Sequence, residues 1–437
     1  MKITNNTLSI LGGKKVIKKK FSRYNTIGVE EYKAAKKVLK SGILSNFIGS
    51  WGEGFYGGEQ VQKFERACEK FFKVKHAVTV NSWTSGLITA VGSIGLEPGD
   101  EVIVTPFTMC ATVTSILHWN AIPVFADIDP ETFNICPNSI LKNISIKTKA
   151  IMAADIIGQS CDIDSIMKIA KKYKLKVITD SAQAPGVLNN NRITGTLADV
   201  GGFSLNYHKH IHTGEGGILV TNNFKIYERL LLIRNHAEAA VVGKKEKDIS
   251  NMIGYNFRMG EIEATIGIEQ LKKLDYLVKS RQEVAKKLTD GLKDLVGLRT
   301  PYIKKGNTHA FYVYPIVLDI KKIGVSRKII VEALNSEGLD GISEGFANIH
   351  LLPMFQKKIA YGSSGFPWTS DICRRKINYK KGICPVAEEL HGKTFINFEI
   401  CLFEMNSREI ELAIQCFRKV WKNLDKLRCI KKINAKK

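Results

Sequence analysis

The sequence predicts an α/β fold: a mostly parallel sheet covered by helices on both faces, followed by a smaller α+β region. Two observations carry this. From about residue 76, short β-rich runs alternate with helical patterns, and a long amphipathic helical pattern at 261–286 separates that series from a second set of elements.

In chain order, HAVTV at 76–80, EVIVT at 101–105, IPVFADI at 122–128, AIMAADI at 150–156 and KVITD at 176–180 read as buried strands. Helical stretches lie between them, around 84–94, 111–119 and 164–173. Strand–helix alternation implies parallel pairing with both faces covered. Ligands of such sheets sit beyond the carboxyl ends of the strands, so the loops after each strand are where chemistry is expected. At 261–286, Ile262, Ile266, Ile268, Leu271 and Leu274 supply the apolar stripe of one long helix. A new series begins around 292–301, with AFYVYPIVL at 310–318 alternating as a strand, a helix at 327–337 and a last helix at 407–424. The expected organisation is an N-terminal arm at 1–60, a large domain at 61–290 and a small domain at 291–437.

The 437 residues are 44% hydrophobic and 24% charged, which excludes a disordered, collagen-like or membrane-spanning chain. Lys+Arg 65 against Asp+Glu 42 leaves +23. Part of that excess lies at the ends, in Lys14, Lys15, Lys18, Lys19 and Lys20, and in Lys431, Lys432, Lys436 and Lys437. Terminal lysines read as a solvated surface. A nucleic-acid-binding or regulatory role rests on charge alone, because no helix-turn-helix, zinc-finger spacing or RNP-like aromatic motif accompanies it. The nine cysteines include no C-x-x-C pair and several sit in apolar runs, as expected for thiols of a reducing compartment. No signal peptide and no run of about 18 apolar residues is evident, so a cytoplasmic protein without a membrane span is expected.

Four loop segments draw attention. Asn81-Ser82-Trp83-Thr84-Ser85-Gly86 follows a strand and opens a helix; its hydroxyls and free N–H groups suit a phosphate, or equally an ordinary N-cap. Asp180 ends the strand at 176–180, where a buried carboxylate is costly unless it faces a cation, though an Asp capping the next turn is common. Ser204 to Gly217 holds Lys209 among His208, His210 and His212 and closes with Thr-Gly-Glu-Gly-Gly. The alternating histidines suggest a metal only weakly, since no carboxylate or cysteine completes a set, and no metal is expected. Gly254-Tyr255-Asn256-Phe257-Arg258-Met259 precedes the long helix and is locally unremarkable. The order of these segments matters more than any one of them. A phosphate seat, a carboxylate for a pyridine nitrogen, and a lysine to hold an aldehyde as a Schiff base are what pyridoxal 5'-phosphate (PLP) requires.

With these segments in view, the chain resembles the DegT/DnrJ/EryC1/StrS family of PLP-dependent sugar aminotransferases. The resemblance runs from Leu11-Gly12-Gly13 to the last helix. It is carried by Pro98-Gly99-Asp100-Glu101-Val102-Ile103-Val104-Thr105, Ala126-Asp127-Ile128-Asp129-Pro130, Gly158-Gln159, Asp180-Ser181-Ala182-Gln183-Ala184, Thr213-Gly214-Glu215-Gly216-Gly217 and the G-x-N-x-R-M of Gly254–Met259. It implies fold type I of the PLP-dependent transferases, with a three-layer α/β/α large domain. By the same resemblance Lys209 falls on the Schiff-base lysine, Asp180 on the partner of the pyridine nitrogen and Gln183 on the residue near the ring hydroxyl. Thr84, Ser85 and Ser204 fall on phosphate contacts, and Asn256 on a loop reaching the phosphate of a neighbouring subunit, which implies a homodimer with shared sites.

Four positions depart from the family pattern. Met109 stands where an aromatic ring usually stacks on the cofactor, Asp155 replaces a common His, Pro185 replaces another, and Trp83 replaces a glycine. The implied activity moves an amino group from glutamate or glutamine to a keto sugar, nucleotide-linked in the preferred reading, or to a keto-cyclitol. A PLP-dependent sugar dehydratase of the same family is the alternative, but those enzymes carry His where Lys209 stands. For the acceptor pocket the aromatic Trp51 and Tyr56, in Trp51-Gly52-Glu53-Gly54-Phe55-Tyr56, and His350 in the small domain are the candidates.

Overall fold

A computed structural model describes residues 7–428. Helices α1 (Val29–Ser41) and α2 (Glu59–Phe72) lead into the strands β1 (His76–Val80), β2 (Glu101–Val104), β3 (Ile122–Phe125), β4 (Thr148–Ala154) and β5 (Lys176–Asp180). A short hairpin, β6 (Leu188–Asn189) and β7 (Arg192–Ile193), precedes β8 (Val200–Ser204) and β9 (Gly217–Thr221). Between the strands run α3 (Trp83–Ser93), α4 (Cys110–Leu117), α5 (Pro137–Asn143) and α6 (Ile163–Tyr173), and α7 (Phe224–Arg234), α8 (Ala237–Lys244) and α9 (Glu261–Leu292) follow.

The large sheet has the order β1-β9-β8-β5-β4-β2-β3. Strands β8, β5, β4, β2 and β3 pair in parallel, while β9 pairs antiparallel with both β8 and β1. Its residues alternate between two buried cores: Val78, Val80 and Leu219 face α3 and α7, whereas Ala77, Ile218, Val220 and Phe203 face α2 and α9. Continuous apolar strands buried on both faces are the expected signature of such a sheet. The first strands match the expected positions, with β3 ending at Phe125 and β4 already running at Thr148.

The second sheet is antiparallel, in the order β10-β11-β13-β12, from Leu298–Arg299, Tyr314–Leu318, Phe395–Phe398 and Ile342–Glu344. The expected strand at 310–318 is shorter because Ala310 and Tyr312 donate instead to the carbonyls of Gly158 and Ile157, and Phe311 takes φ 50°. That detour keeps 310–313 against the large sheet. Helix α9 joins the two parts: Ala264, Leu271, Leu274 and Val278 pack in the large core, and Ala285, Leu288 and Leu292 in the small one. Among the described residues no helix is long and apolar enough to cross a membrane.

The N-terminal arm is docked. Leu8 and Ile17 are buried in the small core, and the Glu337 carboxylate accepts from Ser9 N (2.7 Å), Val16 N (3.2 Å) and Lys419 Nζ (2.8 Å). Lys14, Lys15, Lys18, Lys19 and Lys20 remain exposed; Lys431, Lys432, Lys436 and Lys437 lie outside the described residues. Removing the carboxylate strands a buried ammonium. Glu337→Ala should therefore cost about 3–5 kcal/mol in urea denaturation, with Glu337→Gln costing less; an unchanged midpoint for the alanine variant would show that the arm is not held this way.

Candidate active site

A cavity of about 960 Å³ opens at the carboxyl ends of the parallel strands and is closed from the far side by the small sheet. Its floor is built by register. Asp180, the last residue of β5, lies level with Ala154 of β4 and Gly202 of β8. The Asp180 carboxylate accepts from Trp83 Nε1 (2.7 Å) and Thr112 Oγ1 (2.6 Å), with the Ala182 amide at 3.2 Å. Bonds to an ionised group contribute about 1.5–3 kcal/mol each, so the side chain is fixed in orientation although it is 7% exposed. Trp83 reaches it because β8 carries glycine: a Cβ at Gly202 would lie 2.5 Å from the indole ring and 2.0 Å from the Ile218 carbonyl.

Lys209 enters the cavity from the loop between β8 and β9, itself only 7% exposed. Burial brings its amine down to about 8, against the opposing pull of Asp180 and Cys401. Its Nζ sits 4.3 Å from the ring centroid of Tyr312, on the segment that detours along the large sheet. Burial raises the Tyr312 hydroxyl far above its usual range, so it stays protonated.

At the mouth, α3 presents its N-terminus. Ser82 caps it, accepting from Ser85 N at 3.1 Å, and Ser82, Thr84 and Ser204 all line the cavity. Ser85 does not: its hydroxyl donates to Asn81 Oδ1 at 2.7 Å behind the cap. Gln183 lines the wall with Oε1 accepting from Ile157 N at 2.7 Å, and Met109, 59% exposed, stands at the opposite lip. Asn256 is exposed outside the cavity, beside Asn81 at the end of β1.

The three residues expected to line an acceptor pocket are not at the cavity wall. Trp51 and Tyr56 pack on each other at 5.7 Å, and Trp51 also lies under Lys244 at the end of α8. His350 is fully buried, its Nε2 bonded to Glu388 Oε1 at 2.9 Å, while its neighbours Asn348, Ile349, Leu351 and Leu352 do line the cavity. The alternating histidines part company: His208 lines the cavity and is pushed down to about 4 by burial and by Lys209, whereas His210 donates from Nε2 to the Ala310 carbonyl. Among the described residues no His, Cys, Asp and Glu group is arranged to hold a metal.

Sequence reasoning missed several wall residues. Thr112 sits on the first turn of α4 and Tyr312 within an apparent strand; neither carries a local pattern. Asp155 was visible as a departure. It is buried, accepts from Ser181 Oγ (2.5 Å) and Cys161 N (2.8 Å), and burial holds its carboxyl up at about 6. Unfolded, the group gives up its proton near pH ~4. Its contribution to stability is therefore complete below that pH and declines as pH rises through about 6. Relative to Asp155→Asn, wild type should lose roughly 3 kcal/mol at most between pH ~4 and ~7 in urea titrations; a pH-independent difference would show that Asp155 titrates normally.

With this geometry in hand, the relatives are informative. The DegT/DnrJ/EryC1/StrS aminotransferase family model matches residues 26–385. The spore coat polysaccharide biosynthesis protein SpsC of Bacillus subtilis is 34% identical over 358 residues, covering 80% of this chain and 89% of its own. The GDP-perosamine synthase of Vibrio cholerae is 33% identical over 353 residues, covering 80% and 92%. Among solved structures, Helicobacter pylori PseC, an aminotransferase involved in the biosynthesis of pseudoaminic acid, superposes with a TM-score of 0.75 at 27% identity, covering 93% of this chain and all of its own. The buried carboxylate, the cavity lysine and the strand-end cavity thus belong to a member of the DegT/DnrJ/EryC1/StrS aminotransferase family.

Proposed function

We propose that this chain transfers an amino group from glutamate or glutamine to a keto sugar, nucleotide-linked by preference, using PLP held in the strand-end cavity. The observation that carries this is the convergence of Asp180 and Lys209 on one cavity, a fixed anion and a lysine amine that titrates close to neutrality. The residues fit the cofactor. Neutral donors at the α3 N-terminus, Ser82 and Thr84, with Ser204 beside them, suit its phosphate. Asp180 Oδ1 already accepts from Trp83 and the Ala182 amide, but Oδ2, used by Thr112 alone, keeps a lone pair to meet a ring N–H. When bound, PLP supplies an aldehyde that captures amines and a ring that draws electrons from the carbon losing its proton.

The chain's own residues do the rest. Asp180, held by its donors, keeps its charge pointed at the ring-nitrogen position. Lys209, half neutral near pH 8, takes a proton at Nζ and returns it. Tyr312 limits where that amine travels by offering its ring face. Gln183, tied to the Ile157 amide, closes one side of the wall, and Met109 covers the lip where a larger ring is usual in the family.

A homodimer with shared sites fits the charge of the cavity. Among the described residues, Lys209 is the one Lys or Arg lining it, against Asp155, Asp180, Glu215 and Glu399. Phosphates of cofactor and acceptor call for more positive charge, and a second copy would supply it by bringing Arg258 to the mouth, with Asn256 beside it as a neutral donor. Exposed Val29, Tyr32, Leu39, Ile43 and Ile48, on and after α1, offer apolar area for the contact. The described cysteines are all free, in keeping with a cytoplasmic setting.

The test is turnover with glutamate or glutamine and nucleotide-linked keto sugars, following oxo acid and amino sugar together. The two should form in equal amounts; a product that has lost a hydroxyl instead would favour the dehydratase. Lys209→Ala should lower kcat by at least about 10³-fold. Asp180→Asn should lower kcat by about 10²-fold while cofactor content falls little. Near-normal turnover in the Lys209 variant would remove it from the mechanism.

A further inference from the structure

The small-domain wall of the cavity contains a site that sequence reading passed over. After a short helix at Pro385–Glu389 the chain makes a single π-helical turn, Leu390–Thr394, and His391 on that turn lines the cavity. Such turns are rare and concentrate at functional sites, because the widened backbone aims a side chain that a regular helix would not. Here one buried side chain props the turn: the Arg327 guanidinium donates to the carbonyls of Leu390 (3.2 Å), His391 (2.6 Å), Gly392 (3.2 Å) and Phe395 (3.1 Å). Its Nε is taken by Glu344 Oε2 at 3.1 Å.

The ring's tautomer follows from its one protein partner. Phe346 N donates to His391 Nδ1 at 3.2 Å, so the neutral imidazole carries its proton on Nε2. Burial, with Arg327 nearby, holds the ring below its usual range and keeps it neutral. Among the described residues Nε2 has no partner. The same cavity is also lined by Glu399, whose Oε1 accepts from Asn397 Nδ2 at 3.2 Å, and by the apolar Phe346 and Leu352. A neutral donor, a carboxylate acceptor and apolar faces suit a hydroxylated ring. A phosphate would meet no cation on this wall and one carboxylate.

We infer that His391 is a specificity-determining residue that donates from Nε2 to an oxygen of the uncharged, hydroxyl-bearing part of the acceptor sugar, leaving the phosphates to be bound elsewhere. This rests on the aminotransferase reading above. It takes the place of His350, whose ring is spent on Glu388.

The experiment separates the half-reactions. Oxo acid release from glutamate is measured without acceptor, and acceptor KM is measured with the GDP- or UDP-linked 4-keto-6-deoxy sugar that supports turnover. GDP and UDP alone serve as competitive probes. His391→Phe keeps a ring but no donor and should raise acceptor KM about tenfold, with oxo acid release and diphosphate inhibition as in wild type. His391→Gln, which restores an N–H and an acceptor, should return KM to within about threefold of wild type. An unchanged KM in the phenylalanine variant, diphosphate inhibition weakened to the same extent as KM, or a parallel fall of both half-reactions would each overturn the assignment. Failure of wild type to release oxo acid from either donor would instead sink the aminotransferase reading itself.

Discussion

Everything in the site is organised around a carboxylate buried at the end of a parallel strand. Leaving Asp180 unpaired there would be costly, and the fold answers with an indole N–H, a threonine hydroxyl and a backbone amide drawn from three different segments. Each donor has its own structural cause. Trp83 can stand over the sheet only because Gly202 lacks a side chain, and Thr112 arrives on the first turn of α4, the helix that follows β2. The same register that places Asp180 beside Ala154 and Gly202 brings Asp155, Gln183 and Ser204 to the strand-end rim just beyond it. The chemistry of the cavity is therefore a property of how β4, β5 and β8 align.

The small sheet completes the enclosure instead of standing apart. Helix α9 shares its apolar stripe between both cores, and the 310–313 segment, just before β11, bonds with the turn at Ile156–Gly158. That detour is what lays Tyr312 beside Lys209. The far wall, with Asn397 and Glu399 on and after β13 and His391 on its propped turn, faces the strand ends across the cavity. On the proposed reading, cofactor chemistry falls to the large-sheet side of the cavity and acceptor recognition to the small-sheet side, a division that would let substrate preference vary without disturbing the carboxylate and the lysine.

Much of this was legible beforehand, for identifiable reasons. Buried strands betray themselves by apolar runs, so the sheet and the loops that carry Asp180 and Lys209 could be placed from the sequence. Residues whose role depends on distant partners could not. His350 looked as available as any loop histidine until Glu388, 38 positions away, was seen to hold it. Trp51 and Tyr56 offered carbohydrate-like surfaces, yet they pack against each other and α8. Tyr312 was hidden in an alternating pattern that β11 uses only in part, and His391 in a stretch whose π turn depends on Arg327 packing from another helix. Spacing along the chain carries no trace of such contacts.

The central claim is that Lys209, set against Asp180, is the residue to which the cofactor is bound. Borohydride reduction of the PLP-loaded protein, followed by peptide mapping by mass spectrometry, tests it directly. The account predicts one pyridoxyl phosphate per chain, found on the peptide bearing Lys209 and absent after Lys209→Ala. A label on another lysine, or no label on protein that retains the cofactor, would contradict it.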